Sequence, residues 1–387
     1  MKIIQICAAY KPAYIYGGPT MSVSKLSEEL VKAGEDVIVL TTTANGKAEL
    51  AVPTGIEQLV DGVKVFYFKR LTKDHTHFSP ALFSFLRKLI VEEKKRGRKN
   101  ELVVHIHAWW NLVSIFSCLI VKMYGVKVVL SPRGMLNAYT LSHKNSLSKR
   151  LIHQLLGKHL LKGMAYHATS KQEHDDIFAF TGKSPETIPN FIQLPLQHAV
   201  ETQANEQYQL LFLGRINEIK GLENLFSALA SLSINWFLTI AGEGDLNYVN
   251  NLKQLTAQKR IAEKIKWVGH INNVQKFDLL ASVDALVLPS YKENFANVII
   301  EALAVGTPVI ISKEAGAAEY VEETNLGWIT SNTPEQLAAT ISRSFEDIQK
   351  RTQIRASAPS KIKRDFDETT LAKKYINMYQ NLLKIAI

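Results

Sequence analysis

Glu293 and Glu301, eight positions apart in the stretch ENFANVIIE, are two acids spaced so that they can act on one ligand. Such a pair can hold a metal, run acid/base catalysis, clamp a sugar, or amount to two unrelated surface charges. Their setting narrows the choice. ALVLPS reads as a strand that ends at Ser290, and the apolar run after it reads as a helix from about Ala296 or Asn297 to Gly306. Glu293 then sits on the loop before the helix, and Glu301 on its second turn. An anion at the helix start would meet free backbone N–H groups and the positive end of the dipole. Carboxylates flanking that anion accept hydrogen bonds from hydroxyls. Hydroxyls, diphosphate and hydroxyls in a row describe a sugar nucleotide.

Cations occur where such a diphosphate would need them. In LFLGRINEIKGLENL a strand runs into Gly214 and Arg215, and Lys220-Gly221 precedes a helix. An arginine and a lysine in a glycine-punctuated strand-to-helix loop make a diphosphate clamp, although Lys220 also reads as a solvated loop charge. AGEGD adds Gly242 at another strand end. Near the start, YKPAYIYGGPT places Gly17 and Gly18 before a helix, where a backbone can approach an anion closely. It is not a G-x-G-x-x-G fingerprint, and a plain turn explains it equally well.

Three further positions carry titratable or cationic groups at strand ends. In HIHAWWN, His105 and His107 alternate and are expected on opposite faces of their strand. His105 reads as a satisfied core histidine; His107, nearer the carboxyl end, reads either as core or as part of a site. No cysteine or acid lies near enough to make them a zinc pair. Arg133, in SPRGML, suits a phosphate or carboxylate contact, with a structural salt bridge as the alternative. Asp365-Phe366-Asp367 has a D-x-D spacing that can hold a divalent metal, but it precedes the last helix and is followed by Thr369 and Thr370, so it reads as helix-start chemistry.

The elements that must position these groups follow one pattern. Short β-branched runs alternate with amphipathic stretches: IIQICAA, DVIVLTT, VKVFYF, LVVHIHA, VKVVLSP and AYHATS in the first half, then YQLLFLG, WFLTIAG, IKWVG, ALVLPS and PVIIS. That alternation predicts doubly wound α/β sheets with parallel strands. The pattern lapses in the polar run LPLQHAVETQANEQ, Leu194 to Gln207, which divides two Rossmann-like domains. A length of 387 residues also favours two cores over one. In such sheets ligands bind at the carboxyl ends of strands, and two domains can face each other across a cleft there.

Composition bounds the setting. Cys7 and Cys118 lie in apolar runs and read as small buried hydrophobes of a reducing compartment. The N-terminal stretch lacks a secretory apolar core, and the longest apolar run, Leu112 to Val121, is too short to span a bilayer, so a cytoplasmic protein is expected. Residues 1–190 carry 26 Lys and Arg against 15 Asp and Glu, whereas the rest carries 20 against 21. A basic first half implies an anionic partner or a solvated lysine-rich face. Helical stretches around Phe83, Arg87, Lys88 and Ile90, and from Ser142 to Gly163, are basic and amphipathic and could lie on an anionic membrane. Nothing resembles a nucleic-acid-recognition element, so no nucleic acid is expected as a partner.

With these residues in place, the chain resembles a retaining glycosyltransferase of the GT-B fold, from family 4 (glycosyl transferases group 1, E-x7-E type). GRINEIKGLENL, AGEGD, WVGHI and ENFANVIIEALAVGTPVIISKEAGAAEYV carry the resemblance in the second half. YGGP, HIHAWWN, SPRGML, HATSKQEHDDI and IPNFI carry it in the first. The resemblance implies an acceptor-binding domain over residues 1–194, a donor domain over 195–365, and a C-terminal helix over 366–387 that packs back toward the N-terminal domain.

It also implies roles. Glu293 lies by the transferred sugar and Glu301 by the ribose hydroxyls. Arg215 and Lys220 neutralise the departing diphosphate. The backbone of Phe295, Ala296, Asn297 and Val298 holds the donor, Gly18 lies near its phosphates, and His107 lies near its sugar. No metal or other cofactor is implied. Two departures stand out: Asn294 and Ala296 replace glycines of an E-G-F-G pattern, and Phe191 replaces a hinge glycine in I-P-N-G. The expected activity is retaining, metal-independent transfer of a UDP- or GDP-linked sugar to a glycan or polyprenyl-linked acceptor in surface polysaccharide synthesis, with peripheral contact at the inner face of the cell membrane. A GT-B sugar-nucleotide epimerase is the alternative.

Overall fold

A computed structural model describes residues 1–136, 157–195 and 207–384. Most of the dividing stretch Leu194 to Gln207, and about two thirds of the basic stretch Ser142 to Gly163, lie outside the described residues. The chain forms two compact units, Met1–Phe191 with Glu368–Ile387, and Ile192–Asp367.

The first unit is built on strands β1 (Lys2–Ile6), β2 (Asp36–Thr42), β5 (Glu57–Val60), β6 (Val63–Phe68), β7 (Leu102–His107), β8 (Lys127–Ser131), β9 (Ala165–Ala168) and β10 (Glu186–Thr187), with a side hairpin of β3 (Ala44–Asn45) and β4 (Ala48–Glu49). The eight-stranded sheet runs β10-β9-β8-β7-β1-β2-β6-β5 and is parallel apart from the β5–β6 pair. Its central strands are buried on both faces because helices cover both, which is why they read as mostly apolar runs rather than alternating ones, with Gln5, His105, His107 and Ser131 as buried polar exceptions. The helix Pro80–Lys95 buries Leu82, Leu86 and Ile90 at four-residue spacing. Ile90 is buried as expected, whereas Phe83 is only partly buried and Leu82 takes the core position beside it.

The C-terminal helix Glu368–Lys384 belongs to this unit and buries Leu371, Ala372, Tyr375, Met378 and Tyr379. Lys25 of the helix Gly18–Lys32 holds its first turn through Glu368 at 2.9 Å.

The second unit contains β11 (Tyr208–Leu213), β12 (Trp236–Ala241), β13 (Ile265–Gly269), β14 (Ala285–Leu288), β15 (Val309–Ser312) and β16 (Gly327–Thr330) in a fully parallel sheet ordered β13-β12-β11-β14-β15-β16. The chain turns back on itself between β11 and β14, and loops after strands flanking such a reversal open a crevice. The first sheet reverses in the same way between β1 and β7. Both cysteines are buried and free. No helix among the described residues is long and apolar enough to cross a membrane.

Two parts of the sequence reading differ from the structure. The short edge strands β5, β10 and β16 carry no long apolar run. Of Asp365-Phe366-Asp367, Asp367 does stand directly before the last helix, Glu368–Lys384, but Asp365 ends the preceding helix Ile348–Asp365 and is held by Lys361 and Tyr320, each at 2.9 Å.

Candidate functional site

In the second unit the loops after β11 and β12 continue to pair beyond the strands. Gly214 N–H donates to the Ala241 carbonyl at 3.0 Å, and Ile216 N–H to the Glu243 carbonyl at 2.8 Å. Gly242 lies between these latches with φ +142°, and a Cβ there would stand 1.9 Å from the Gly214 carbonyl oxygen. The approach of two backbones therefore requires a glycine, and it places Arg215 at the mouth of the β11 loop. Arg215 is exposed, and its guanidinium has no hydrogen-bond or ion-pair partner among the described residues.

Lys220 comes from the same loop and reaches the loop after β14, where its ammonium forms an ion pair with Glu293 Oε1. Ser290 Oγ donates to the same oxygen at 2.9 Å. The Glu293 backbone is held in turn by the loop after β15: its N–H donates to the Glu314 carbonyl, and its carbonyl accepts from Gly316 N–H, each at 3.1 Å. Three strand-end loops thus fix the position of one carboxylate, and both charged groups are mostly shielded from water.

The helix beyond it, Asn297–Ala304, opens on Ala296, whose φ of +65° is the left-handed conformation that suits glycine. The backbone retains a glycine-type turn although the side chain has changed. Phe295 is buried with its ring edge against Phe366, while Asn294, Asn297 and Val298 are partly exposed around the helix start. Glu301 is on the second turn, where Lys276 holds its carboxylate at 2.9 Å. Neither Ser290 nor Lys276 was singled out from sequence. Ser290 does end a predicted strand, which is the one signal that pointed to it.

The other expected residues lie in the first unit. Gly17 has φ +63° and opens the helix Gly18–Lys32, with Gly18 as its first residue. His107 closes β7 and is buried. Its Nε2 lies 2.6 Å from Gln5 Oε1, and its Nδ1 lies 3.3 Å from Arg133 Nη2. The expectation that His105 and His107 point to opposite faces is overturned: their ring centroids lie 4.1 Å apart on one face, with the planes tilted by 36°. The physical reason is the strand period of two, which returns residues i and i+2 to the same side.

Arg133 has φ +55°, and its Nη1 donates to Asn190 Oδ1. Glu173, buried at the start of the helix Lys171–Thr181, accepts from Gly134 N–H at 2.6 Å and from Thr169 N–H at 2.8 Å, and so holds the arginine loop. The S-x-x-E spacing from Ser170 to Glu173 is a capping signature that could have flagged it. Phe191 is buried against Tyr375, with the rings 5.6 Å apart. Burial holds the pKa of His105 and His107 well below the usual range and brings His167 down to about 3. All three imidazoles are neutral at neutral pH. Among the described residues no cluster of three His, Cys, Asp or Glu side chains could hold a metal ion.

Comparison with known proteins agrees with this architecture. Residues 195–361 match the family described as Glycosyl transferases group 1, and residues 16–194 match Glycosyltransferase Family 4. The chain is 25% identical to an uncharacterized glycosyltransferase of Methanocaldococcus jannaschii over 98% of both chains. It is 27% identical to a glycogen synthase of Mycobacterium tuberculosis over 98% of this chain and 94% of that one. The solved structure of Anabaena HepE in complex with UDP-glucose has a TM-score of 0.72 at 18% identity, covering 98% of this chain and 100% of that chain.

Proposed function

This chain is a glycosyltransferase of family 4 type with the GT-B fold, and from that premise we propose that it transfers a sugar from a UDP- or GDP-linked donor to a glycan or lipid-linked acceptor of surface polysaccharide, with retention at the anomeric carbon and without a metal. The observation that carries the reading is the Lys220–Glu293 pair at the point where the second sheet reverses, directly before a helix N-terminus. A diphosphate seated there would take over Lys220 and gain exposed Arg215. Glu293, released from its lysine but still held by Ser290 and by the loop after β15, would accept hydrogen bonds from the sugar hydroxyls. It is a fixed negative charge beside the carbon that becomes positive as the leaving group departs, the condition for electrostatic stabilisation of such a transition state.

Glu301, one turn along, would take the ribose hydroxyls and share its carboxylate with Lys276. Arg215, Lys220 and the helix start of Asn297–Ala304 supply the positive charge that the leaving diphosphate needs, and so make a metal unnecessary in this reading. The Anabaena structure holds UDP-glucose, and glycogen synthase is named for a polysaccharide product, which supports a nucleotide sugar as donor and a glycan as acceptor.

Arg133 would meet an anionic group of the acceptor. The exposed Arg87 and Lys88 on the helix Pro80–Lys95 support a lipid-linked acceptor at an anionic membrane surface. Flotation with and without anionic lipid tests that part separately.

A thermal-shift panel of UDP- and GDP-sugars tests the donor, since a ligand that binds only the native state must stabilise it. In transfer and donor-hydrolysis assays, Glu293→Ala and Lys220→Ala are expected to lose most of the turnover. Undiminished turnover in both would remove the reading.

A further inference from the structure

The first sheet buries a continuous row of polar side chains that crosses four strands and passes through Tyr379 of the C-terminal helix. Arg133 Nη2 lies 3.3 Å from His107 Nδ1, and His107 Nε2 lies 2.6 Å from Gln5 Oε1. Gln5 Nε2 is 3.4 Å from Tyr379 Oη, which is 2.7 Å from His105 Nδ1. His105 Nε2 is 2.6 Å from Ser131 Oγ, which is 2.6 Å from His167 Nδ1. His167 Nε2 ends the row at the Ile188 carbonyl, 2.8 Å away, with Tyr375 Oη a second neighbour at 3.0 Å.

The two ends fix the direction of every bond between them. A guanidinium has no acceptor, so Arg133 donates and His107 Nδ1 carries a lone pair. A carbonyl has no proton, so His167 Nε2 carries the hydrogen that Ile188 accepts. Working inward from either end gives one consistent order. His107 donates to Gln5, the Gln5 amide to Tyr379, Tyr379 to His105, His105 to Ser131, and Ser131 to His167. All three histidines are then neutral with the proton on Nε2. This agrees with the effect of their burial on protonation.

The row also bears on Arg133. Its partners, Asn190 and His107, are uncharged, and it has no carboxylate partner among the described residues. Its Nε is buried without a hydrogen bond. The guanidinium is therefore oriented by neutral acceptors and keeps its full charge for an anion.

We infer that these side chains form one directed hydrogen-bond chain, in which Gln5, Tyr379 and His105 are positioning residues acting through His107 on Arg133, and His107 is a neutral relay, not a proton acceptor. The bearing on transfer rests on the site proposed above; the direction of the chain does not. Tyr379 is the join, because it accepts from one half and donates to the other. Replacing it strands a buried amide N–H and a buried imidazole lone pair.

The test uses the full chain labelled with 15N-histidine and free of substrate, with signals assigned by single histidine variants. At pH 7.5 and 5.5 the imidazoles of His105, His107 and His167 are expected as neutral Nε2–H tautomers. A charged form of any of the three at pH 5.5, or a proton on Nδ1 of His107, overturns the inference. This readout needs no turnover, so a failure of the proposed activity would show separately, as an inactive wild type with the NMR pattern intact.

In the transfer assay, Tyr379→Phe is expected to lower turnover roughly ten- to hundredfold through misplacement of Arg133 and His107. A relay needs one acceptor and one donor, which an amide supplies, so His107→Gln is expected to keep at least tenfold more activity than His107→Ala. Equal loss in the two His107 variants overturns the relay role.

Discussion

Replacing Gly242 by alanine tests the donor site through backbone geometry alone, without removing any functional side chain. The new Cβ would stand 1.9 Å from the Gly214 carbonyl oxygen, whereas real contacts of this kind do not fall below 3.0 Å, so the two loops must part by about 1.1 Å. They cannot part freely, because hydrogen bonds from Gly214 to Ala241 and from Ile216 to Glu243 latch them on either side of the contact. Breaking those bonds costs about 1 kcal/mol each, and an alanine at a φ of +142° adds backbone strain of about 1–2 kcal/mol. A loss of about 3 kcal/mol corresponds to a fall in Tm of roughly 6–12 °C for a domain of this size.

The functional loss should be larger than the stability loss implies. The displaced loop carries Arg215 and leads into Lys220, and a misplacement of about 1 Å in such a site costs roughly a hundredfold in rate. Differential scanning fluorimetry, nucleotide titration calorimetry and a transfer assay on one preparation separate the two effects. Gly182→Ala is the control: its φ of +70° strains an alanine, but nothing lies within 4 Å of the new Cβ. A folded Gly242→Ala protein that binds nucleotide and turns over within about twofold of the parent would refute the placement of the diphosphate beside this loop. So would an equal loss in the control.

Three other outcomes follow from the same structure. Ala296→Gly removes left-handed strain at the start of the helix Asn297–Ala304 and should stabilise the protein by about 0.5–1 kcal/mol, seen as a Tm higher by roughly 1–4 °C; a lower Tm would contradict that strain. Stability should fall on acidification below pH 6.5. The unfolded chain then takes up protons on His105, His107, His167 and His77 while the folded chain does not, the last two having pKa values of about 3 and about 4. Each such histidine contributes up to about 1.4 kcal/mol per pH unit, so urea midpoints that stay level from pH 7 to pH 5 would contradict their burial as neutral groups. Transfer should persist unchanged in EDTA, and its abolition would transfer the neutralising role from Arg215 and Lys220 to a metal ion.

The strands and the strand-end loops were legible in the sequence for a local reason. A parallel strand covered on both faces shows as an unbroken apolar run, and loops after such strands are where a doubly wound sheet binds ligands. Glu293, Lys220, Gly214 and Gly242 could therefore be named from spacing and glycine punctuation. The edge strands β5, β10 and β16 were not seen, because none of them carries a long apolar run. The facing of His105 and His107 was legible too, since the strand period decides it, yet it was read in the opposite sense.

Other features depended on tertiary structure. Nothing near Gln5 in the chain points to Tyr379, 374 residues away, and nothing near His105 points to the same tyrosine, 274 residues away. Nothing in the sequence tied Glu301 to Lys276, 25 residues away, and Arg133, read there as a phosphate or carboxylate contact with a salt bridge as the alternative, gained Asn190 and His107 only from the fold. By itself the sequence determined which strands, helices and strand-end loops form, because those follow from short-range periodicity, glycine and charge. Only the tertiary structure decided which charges are paired, which histidines are neutral and in which direction their protons point. Those properties depend on burial and on partners brought together from distant parts of the chain.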